Sequence, residues 1–559
     1  MSNRTLIVNG RIWTGNRQQK WAEALVIEGK DIVYVGEVKK AGSIAGEDPH
    51  IVDAEGKMII PSFIDSHTHL TAVAKSKWCF LLEQKDYGSV EEIMEIVRDY
   101  ADQVSAEECP YIYAYSCPTE LMDKPGVDRY LMDRYVSDRP VLLCDANFHR
   151  ALLNSRMLEL MEIDENTPYN ENSTANYGRD ENGVPDGFAY ERVFEFNKDI
   201  DKMFDKLGWQ PPSESDPEVV LPVLEDFTSW GVAGICDGFT ESEGTLQSMK
   251  ALEKTGRLKH YYYGMVLMEN FDALEDSIAT AKKWQAQYGD DYIKVDMLKF
   301  FLDGTNEIGT SAVIEPFAND PEGKDCGVMN MTEEELTQVF CRLNQEGLGI
   351  QIHNVGDRSF RTALNAVEKA QRLEAAEGRD FTATIWLVHC ELTKPEDRER
   401  VKPLGVHINF TPAWAGGAFG DAAKLFLGEE RFRSMYSFNR MIEMGVPVNF
   451  SSDVVDNEDF EMASPFLGIE AGHTRKLPGE EKMREPEEEK LSIEDLLLGY
   501  TINNAISLGD AHRTGSLEAG KRANLCILSD NLFEIDEEKI HQVKPELIMF
   551  EGEILNEAE

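Results

Sequence analysis

Near the N-terminus, apolar and polar positions alternate in short bursts: TLIVNGRIWTG, EALVIEGKDIVYVGE and HIVDAEGKMIIP, with Asn-Gly and Gly-Lys-Asp turns among them. A two-residue period punctuated by turn residues predicts β-hairpins. The same style returns at the C-terminus in GSLEAGKRANLCILSD and ELIMFEGEIL. All-β ends around a mixed middle predict one small β-sandwich domain built from both termini, residues 1–57 and 515–559.

Between these ends the pattern changes to continuous apolar runs separated by helical stretches. The runs are MIIPSFID (58–65), GVAGICDG (231–238), KHYYYGMVL (259–267), DMLKFFLDG (296–304), LGIQIHNVGD (348–357), TIWLVHCEL (384–392), VHINFTP (406–412) and VPVNFSSD, which ends at Asp453. Eight β-rich runs with helical crossovers predict an α/β fold, a TIM-like (β/α)8 barrel over 58–514. An open doubly wound sheet is the alternative, but it would bind its ligand at a switch point, and the chain has no Gly-rich phosphate loop. One crossover can be read in detail. In MTEEELTQVFCRLNQEG, Thr332 and Glu335 form a capping box and Gly347 stops the helix.

The interval between the first and second runs is far longer than a crossover needs. It holds a helix (SVEEIMEIVRDYADQV), strands (YIYAYS, PVLLCDA) and an Asn-rich loop (ENTPYNENSTANYGRDENGVPDG). This predicts a large insertion, about 70–225, folded over the barrel mouth, with WQPPSESDPEV (209–219) marking its exit.

Composition adds exclusions. With 42% hydrophobic and 28% charged residues the chain is globular in character. Fifty-six basic against 102 acidic residues give a net charge of −46, which argues against nucleic acid and anionic membranes as partners. The acidic stretch GEEKMREPEEEKLSIED (479–495) is expected to be an exposed loop leading into a helix capped by Ser492. The start, MSNRTLIVNGRIWTG, lacks the features of a secretory signal, and no apolar run is long enough to span a bilayer. Nine scattered cysteines without C-x-x-C read as reduced thiols. A cytoplasmic protein acting on a small molecule is expected, with a homodimer as the default assembly.

Chemistry first shows in PSFIDSHTHL (61–70). His67 and His69 are two apart, so on a strand both imidazoles aim at one point. Only eleven histidines occur in the chain, and a metal ion would explain the pairing. In a barrel, chemistry sits at the C-terminal ends of the strands. Lys299 lies in the fourth run, His353 ends the fifth, His389 the sixth and Asp453 the eighth. Singly, each has a structural explanation: a core histidine, a helix cap, a snorkelling lysine. Six potential ligands converging on one rim point instead to a single site.

These motifs resemble the amidohydrolase superfamily, in particular the branch called amidohydrolase family 3, which includes N-substituted formamide deformylase-like metal-dependent hydrolases. The resemblance runs through PSFIDSHTHL, FHRALLNS (148–155), KFFLDGTNEIGTSA (299–312), IHNVGDR (352–358), LVHCEL (387–392), VNFSSD (448–453), YTINNA (500–505) and GSLEAGKRANLCIL (515–528). It implies that His67 and His69 hold one divalent ion, that His353 and His389 hold a second, and that a carboxylated Lys299 bridges them. Asp453 would bind the first ion, hold an activated hydroxide, and act as general base and then general acid. Zinc suits this donor set, and iron or manganese also fit it; one or two ions per chain are compatible. Asp65 would orient a ligand histidine from behind.

The resemblance also places His149 near the metal, although Phe148 stands where the family typically has glycine. Tyr115, Cys117, Trp414 and Arg475 lie near predicted rim loops, where packing competes with substrate contact. His149, Trp414 and Arg475 form the candidate substrate-binding set, with Trp414 the first choice for an apolar wall. The implied reaction is hydrolysis of a non-peptide C–N bond in an amide, formamide or cyclic amide. Cyclic amidine deamination and metal-assisted isomerisation are chemically adjacent on the same site. A non-catalytic binding protein on the same fold is the alternative of another class, and the complete ligand set argues against it.

Overall fold

A computed structural model describes residues 4–76, 80–82, 87–107, 109–145, 149–169, 176–190, 196–210, 212–417, 420–456 and 460–557. Eight parallel strands follow one another in chain order in a single sheet: β1 (Phe63–Thr68), β2 (Val232–Asp237), β3 (Tyr261–Leu267), β4 (Ile293–Phe301), β5 (Gly349–Asn354), β6 (Ile385–His389), β7 (His407–Phe410) and β8 (Val448–Phe450). β1, β2, β5, β6 and β8 are buried along their whole length, which is why they read as continuous apolar runs and not as alternation. The crossover helix Glu333–Glu346 carries both halves of the Thr332/Glu335 capping box and ends on left-handed Gly347.

Side chains and loop backbone join β8 to β1 and bring the sheet nearly to closure. Ser66 Oγ donates to Phe450 O at 2.9 Å, Asp453 N to His67 O at 2.8 Å, and His69 N to Val454 O at 3.0 Å. Asn504 Nδ2 donates to both Ile64 O (2.6 Å) and Phe450 O (2.9 Å). Asn504 follows a π-helical turn, Gly499–Asn503, against which the Phe450 ring packs so closely that a Cβ at Gly499 would lie 2.1 Å from it. The YTINNA motif thus supplies a donor to buried carbonyls on both closing strands. Asn504→Leu removes both of these bonds, leaving Phe450 O only its bond from Ser66 Oγ, and is expected to cost about 1–3 kcal/mol, read as a lowered urea midpoint.

The β domain has a four-stranded sheet and a six-stranded sheet, the latter joining Arg11–Trp13, Trp21–Ala22 and Met58–Pro61 to Leu525–Leu528, Pro545–Phe550 and Glu553–Glu557. Ile7, Leu25 and Ile27 from one sheet share a core with Ile12, Ile59, Leu525 and Met549 from the other, forming the sandwich expected from both termini. The run MIIPSFID is two strands, not one. It divides at Ser62, whose N–H bonds Asn524 O in the β domain, while Phe63 N bonds Gly231 O in the barrel. The β domain therefore reaches Pro61, not Lys57.

The chain forms two compact units, Lys75–Ser213 being separate from Met1–Ala74 with Glu214–Glu559. The insertion is narrower than 70–225, because the helix Pro217–Ser229 is the crossover leading into β2. It has its own six-stranded sheet, and its helix Val90–Gln103 is capped by Ser89 as the sequence suggests. The Asn-rich segment departs from the expected loop. Asn176–Arg179 and Pro185–Tyr190 pair as an antiparallel hairpin, and Asp180 accepts from Asn182 N and Val184 N across the turn. Residues 170–175 of that segment lie outside the described residues, and Asp180, Glu181, Asn182 and Gly183 are the turn chemistry of the hairpin.

The acidic stretch 479–495 also departs from expectation. Ser492 caps the helix Ile493–Leu498, but Arg484 and Glu489 are buried. Cys79 lies outside the described residues, and the other eight cysteines are free. Among the described residues no helix is long and apolar enough to cross a membrane.

Candidate metal centre

The pleat of β1 aims His67 into the barrel mouth, and His69 follows just beyond the strand end, the two rings lying 5.2 Å apart. Asp453, three residues past β8, sits between them: its Oδ1 is 3.2 Å from His67 Nε2 and 3.4 Å from His69 Nε2. These three residues each offer one donor atom, all within 4.8 Å of one another. His389, the last residue of β6, brings Nδ1 to 3.4 Å from Asp453 Oδ2, and its ring is 4.5 Å from that of His353 on β5. Lys299 on β4 is fully buried, with Nζ 3.3 Å from His67 Nε2 and 4.9 Å from the centre of the Phe301 ring. The six residues singled out in the sequence thus form one continuous cluster at the strand ends.

Electrostatics leave this cluster ready to donate electron pairs. Burial, reinforced by the Lys299 charge, pulls His67 down to about 4, and burial drives His389 well below the ordinary imidazole range. Both rings are therefore neutral at physiological pH. Burial also lowers Lys299 to about 7, partly offset by Asp453. Burial alone would raise Asp453, but hydrogen bonds from His67 and His69 help to hold it well below the usual carboxylate range. Buried His67 Nδ1 and His389 Nδ1 have no hydrogen-bond partner. His353 Nε2 lies 3.2 Å from Gly304 O, a contact that favours the tautomer protonated at Nε2. Several neutral imidazoles around one anionic carboxylate are a donor set suited to a divalent cation.

Backbone strain concentrates here. His389 and Asp453 are non-glycine residues at φ 74° and 50°. Such conformations cost energy and persist where surrounding contacts over-determine them. The Asp453 amide, bonded to His67 O, supplies one such contact.

Asp65 meets the candidate ligand His67 at its backbone. Its carboxylate reaches no ring; Oδ1 accepts from His67 N (3.1 Å) and Ser452 N (3.2 Å), fixing the backbone on both sides of the closure. Burial raises it to about 7. Trp414, in the turn Pro412–Ala415 after β7, stacks on His389 at 5.2 Å and 14°, forming one wall of the site. Arg475 ends the helix Pro465–Thr474 and is fully buried, its Nε bonded to Arg484 O. His149 belongs to the insert unit, where its charge acts on Asp145. Tyr115 and Cys117 pack in the insert's cores.

Other contributors escaped the sequence reading. A polar layer lies beneath His67: Asn409 Nδ2 donates to Ser66 Oγ (2.7 Å), Ser451 Oγ to Asn409 Oδ1 (2.9 Å), and Gln351 Nε2 to Ser66 O (3.2 Å). Asp237, at the end of β2, accepts from Leu70 N and from the Tyr262 hydroxyl. Gly238, next to it, faces the rings directly: a Cβ there would lie 2.7 Å from His69 Cε1 and 2.8 Å from His67 Cε1. A glycine at the end of the second run was the available signal. Gly238→Ala is expected to displace both rings and weaken metal retention about tenfold, equivalent to about 1.4 kcal/mol, measured by elemental analysis after dialysis.

The chain is similar along most of its length to known proteins. The family profile described as "Amidohydrolase family" matches residues 50–556. The N-substituted formamide deformylase of Arthrobacter pascens is 22% identical over 529 residues, covering 94% of this chain and 93% of that protein. The exoenzymes regulatory protein AepA of Pectobacterium carotovorum subsp. carotovorum is 24% identical over 457 residues, covering 79% and 92% respectively. Among solved structures, an uncharacterized metal-dependent hydrolase from Pyrococcus horikoshii OT3 superposes with a TM-score of 0.70 at 24% identity, over 96% of this chain and 99% of that one.

Proposed function

Since the chain belongs to the amidohydrolase family, we propose that it is a metal-dependent hydrolase of a non-peptide C–N bond in an amide, formamide or cyclic amide. The observation that carries this reading is the convergence of His67, His69 and Asp453 donor atoms within 4.8 Å, with His389 against the same carboxylate. His67, His69 and Asp453 would hold one ion. His353 and His389 would hold a second, with a carboxylated Lys299 between the two. Bound there, divalent ions lower the pKa of water and polarise a substrate carbonyl.

The protein's own groups supply the remainder. Asp453, anionic and touching three imidazoles, is placed to accept a proton from water and return it to the leaving nitrogen. Lys299, lowered to about 7, has a substantial neutral fraction at physiological pH, and the neutral amine is the form that takes up CO₂. Asp65 and the Ser66–Asn409 pair hold the backbone and the floor on which these groups stand. Trp414 excludes water on the His389 side and offers an apolar face to the substrate.

The name of the deformylase relative favours formamides within this class. Ring deamination and metal-assisted isomerisation would use the same groups. A non-catalytic role is favoured by the name of the regulatory relative, and the complete donor set weighs against it. The test is a panel of N-formyl, N-acyl and cyclic amide compounds incubated with metal-loaded protein, with release of acid and amine quantified. Turnover of any member supports the reading, and inactivity across the panel in protein that retains its metal counts against it.

A further inference from the structure

Asp303 lies two residues past β4, in the loop that leads away from Lys299, and its side chain is buried. The carboxylate accepts four hydrogen bonds. Oδ1 takes Val355 N at 3.0 Å, and Oδ2 takes Gly356 N (2.8 Å), Ala312 N (2.9 Å) and the Ser359 hydroxyl (2.7 Å). Val355 and Gly356 are the first residues beyond β5, whose next-to-last residue is His353. The helix that follows, Asp357–Ala376, starts at Gly356, which has no side chain to cap it. Asp303 reaches across from β4 and places an anion there, meeting leading N–H groups that the local sequence leaves open.

The same loop braces the surroundings of both candidate ligands of the second ion. Leu302 N donates to His353 O at 3.1 Å and Gly304 O lies 3.2 Å from His353 Nε2, so the neighbours of Asp303 hold the backbone and the ring of one histidine. Asn306 Nδ2 donates to Glu391 Oε2 at 2.8 Å, two residues beyond His389, and Cys390 N donates to Asn354 O at 2.8 Å. The fit has no slack: a Cβ at Gly356 would lie 2.0 Å from Ala312 O. The ligands of the first ion are fastened by other bonds, from His67 N and Ser452 N to Asp65 and from Asp453 N to His67 O. All four bonds of Asp303 fall on the β4–β5 side.

We propose that Asp303 is a positioning residue for the second ion: by fixing the exit of β5 it sets the aim of the His353 ring. Groups one step behind a metal ligand orient it, and their loss changes metal affinity by about tenfold or more. The inference rests on the reading of His353 and His389 as ligands of a second ion and deepens it. The two ions then have separate braces, Asp65 for the first and Asp303 for the second.

The test dialyses metal-loaded full-length protein against graded chelator and counts zinc per chain by elemental analysis, so that the release of each ion is read. Asp303→Asn offers one oxygen where four donors converge. It is expected to lose one ion at about tenfold lower chelator than the wild type and to hold the other as before. The ion lost is the one that His353→Ala lacks, so adding Asp303→Asn to His353→Ala is expected to change nothing further. Ser359→Ala removes a single one of the four bonds and shifts the same ion by less, which carries the test if Asp303→Asn does not fold. Asp510→Asn controls for general destabilisation. That buried carboxylate takes the Tyr263 hydroxyl and Lys294 Nζ, from the beginnings of β3 and β4, so its loss should lower Tm and leave both ions in place. Selective loosening of one ion without turnover of any amide upholds the positioning role and refutes only the hydrolytic reading. Loosening of both ions alike, loosening matched by Asp510→Asn, no change in the folded variants, or a wild type that holds a single ion would each overturn the inference.

Discussion

Asp453→Asn is expected to lower kcat/KM by about 10³–10⁴ while leaving the far-UV circular dichroism spectrum unchanged. The substitution keeps the size and shape of the side chain but removes the anion that lies within 3.2–3.4 Å of His67, His69 and His389. An amide can neither neutralise a divalent ion nor accept a proton from water. The backbone role of the residue, its amide bonded to His67 O, is retained, so the barrel closure survives. A loss of less than tenfold would mean that another group carries the proton.

Lys299→Met is expected to reduce bound metal from about two ions to about one per chain and to lower the Tm of the metal-loaded protein. Added bicarbonate should raise metal occupancy in the wild type and leave the variant unchanged. The reasoning turns on the charge state of a fully buried lysine. An ammonium in this position would repel cations, and replacing it by an apolar side chain would stabilise the fold. As a carbamate it becomes a shared anion, and its loss weakens the metal-loaded state. A variant that gains stability and keeps its metal count would identify Lys299 as an unmodified structural lysine.

Much of the barrel was legible because strands buried on both faces write themselves as apolar runs, and because the ligands fall at the ends of those runs. His67 and His69 were visible through the period of the strand, and Trp414 through its place after the seventh run. The division at Ser62 was hidden because Met58–Pro61 and Phe63–Thr68 are equally apolar while belonging to different sheets. The hairpin at 176–190 was hidden because a polar turn and a polar loop share a composition. Asp65 was read as orienting a ligand histidine, but that its bonds go to the backbone N–H groups of His67 and Ser452 is something no residue pattern reveals. Gly238 and the Ser66–Asn409 layer matter through distances between strands that are remote in sequence.

The central claim, hydrolysis that depends on an ion held by His67, His69 and Asp453, is tested most directly by following bound metal and hydrolysis together. Metal per chain would be determined in the purified protein, after chelation, and after restoring zinc, manganese or iron, alongside turnover of an N-formyl or N-acyl substrate. The account predicts stoichiometric metal in the active protein, parallel loss of metal and turnover on chelation, and recovery of both on restoration. Hydrolysis that persists after complete removal of the metal, or a protein that retains none under any of these conditions, would contradict it.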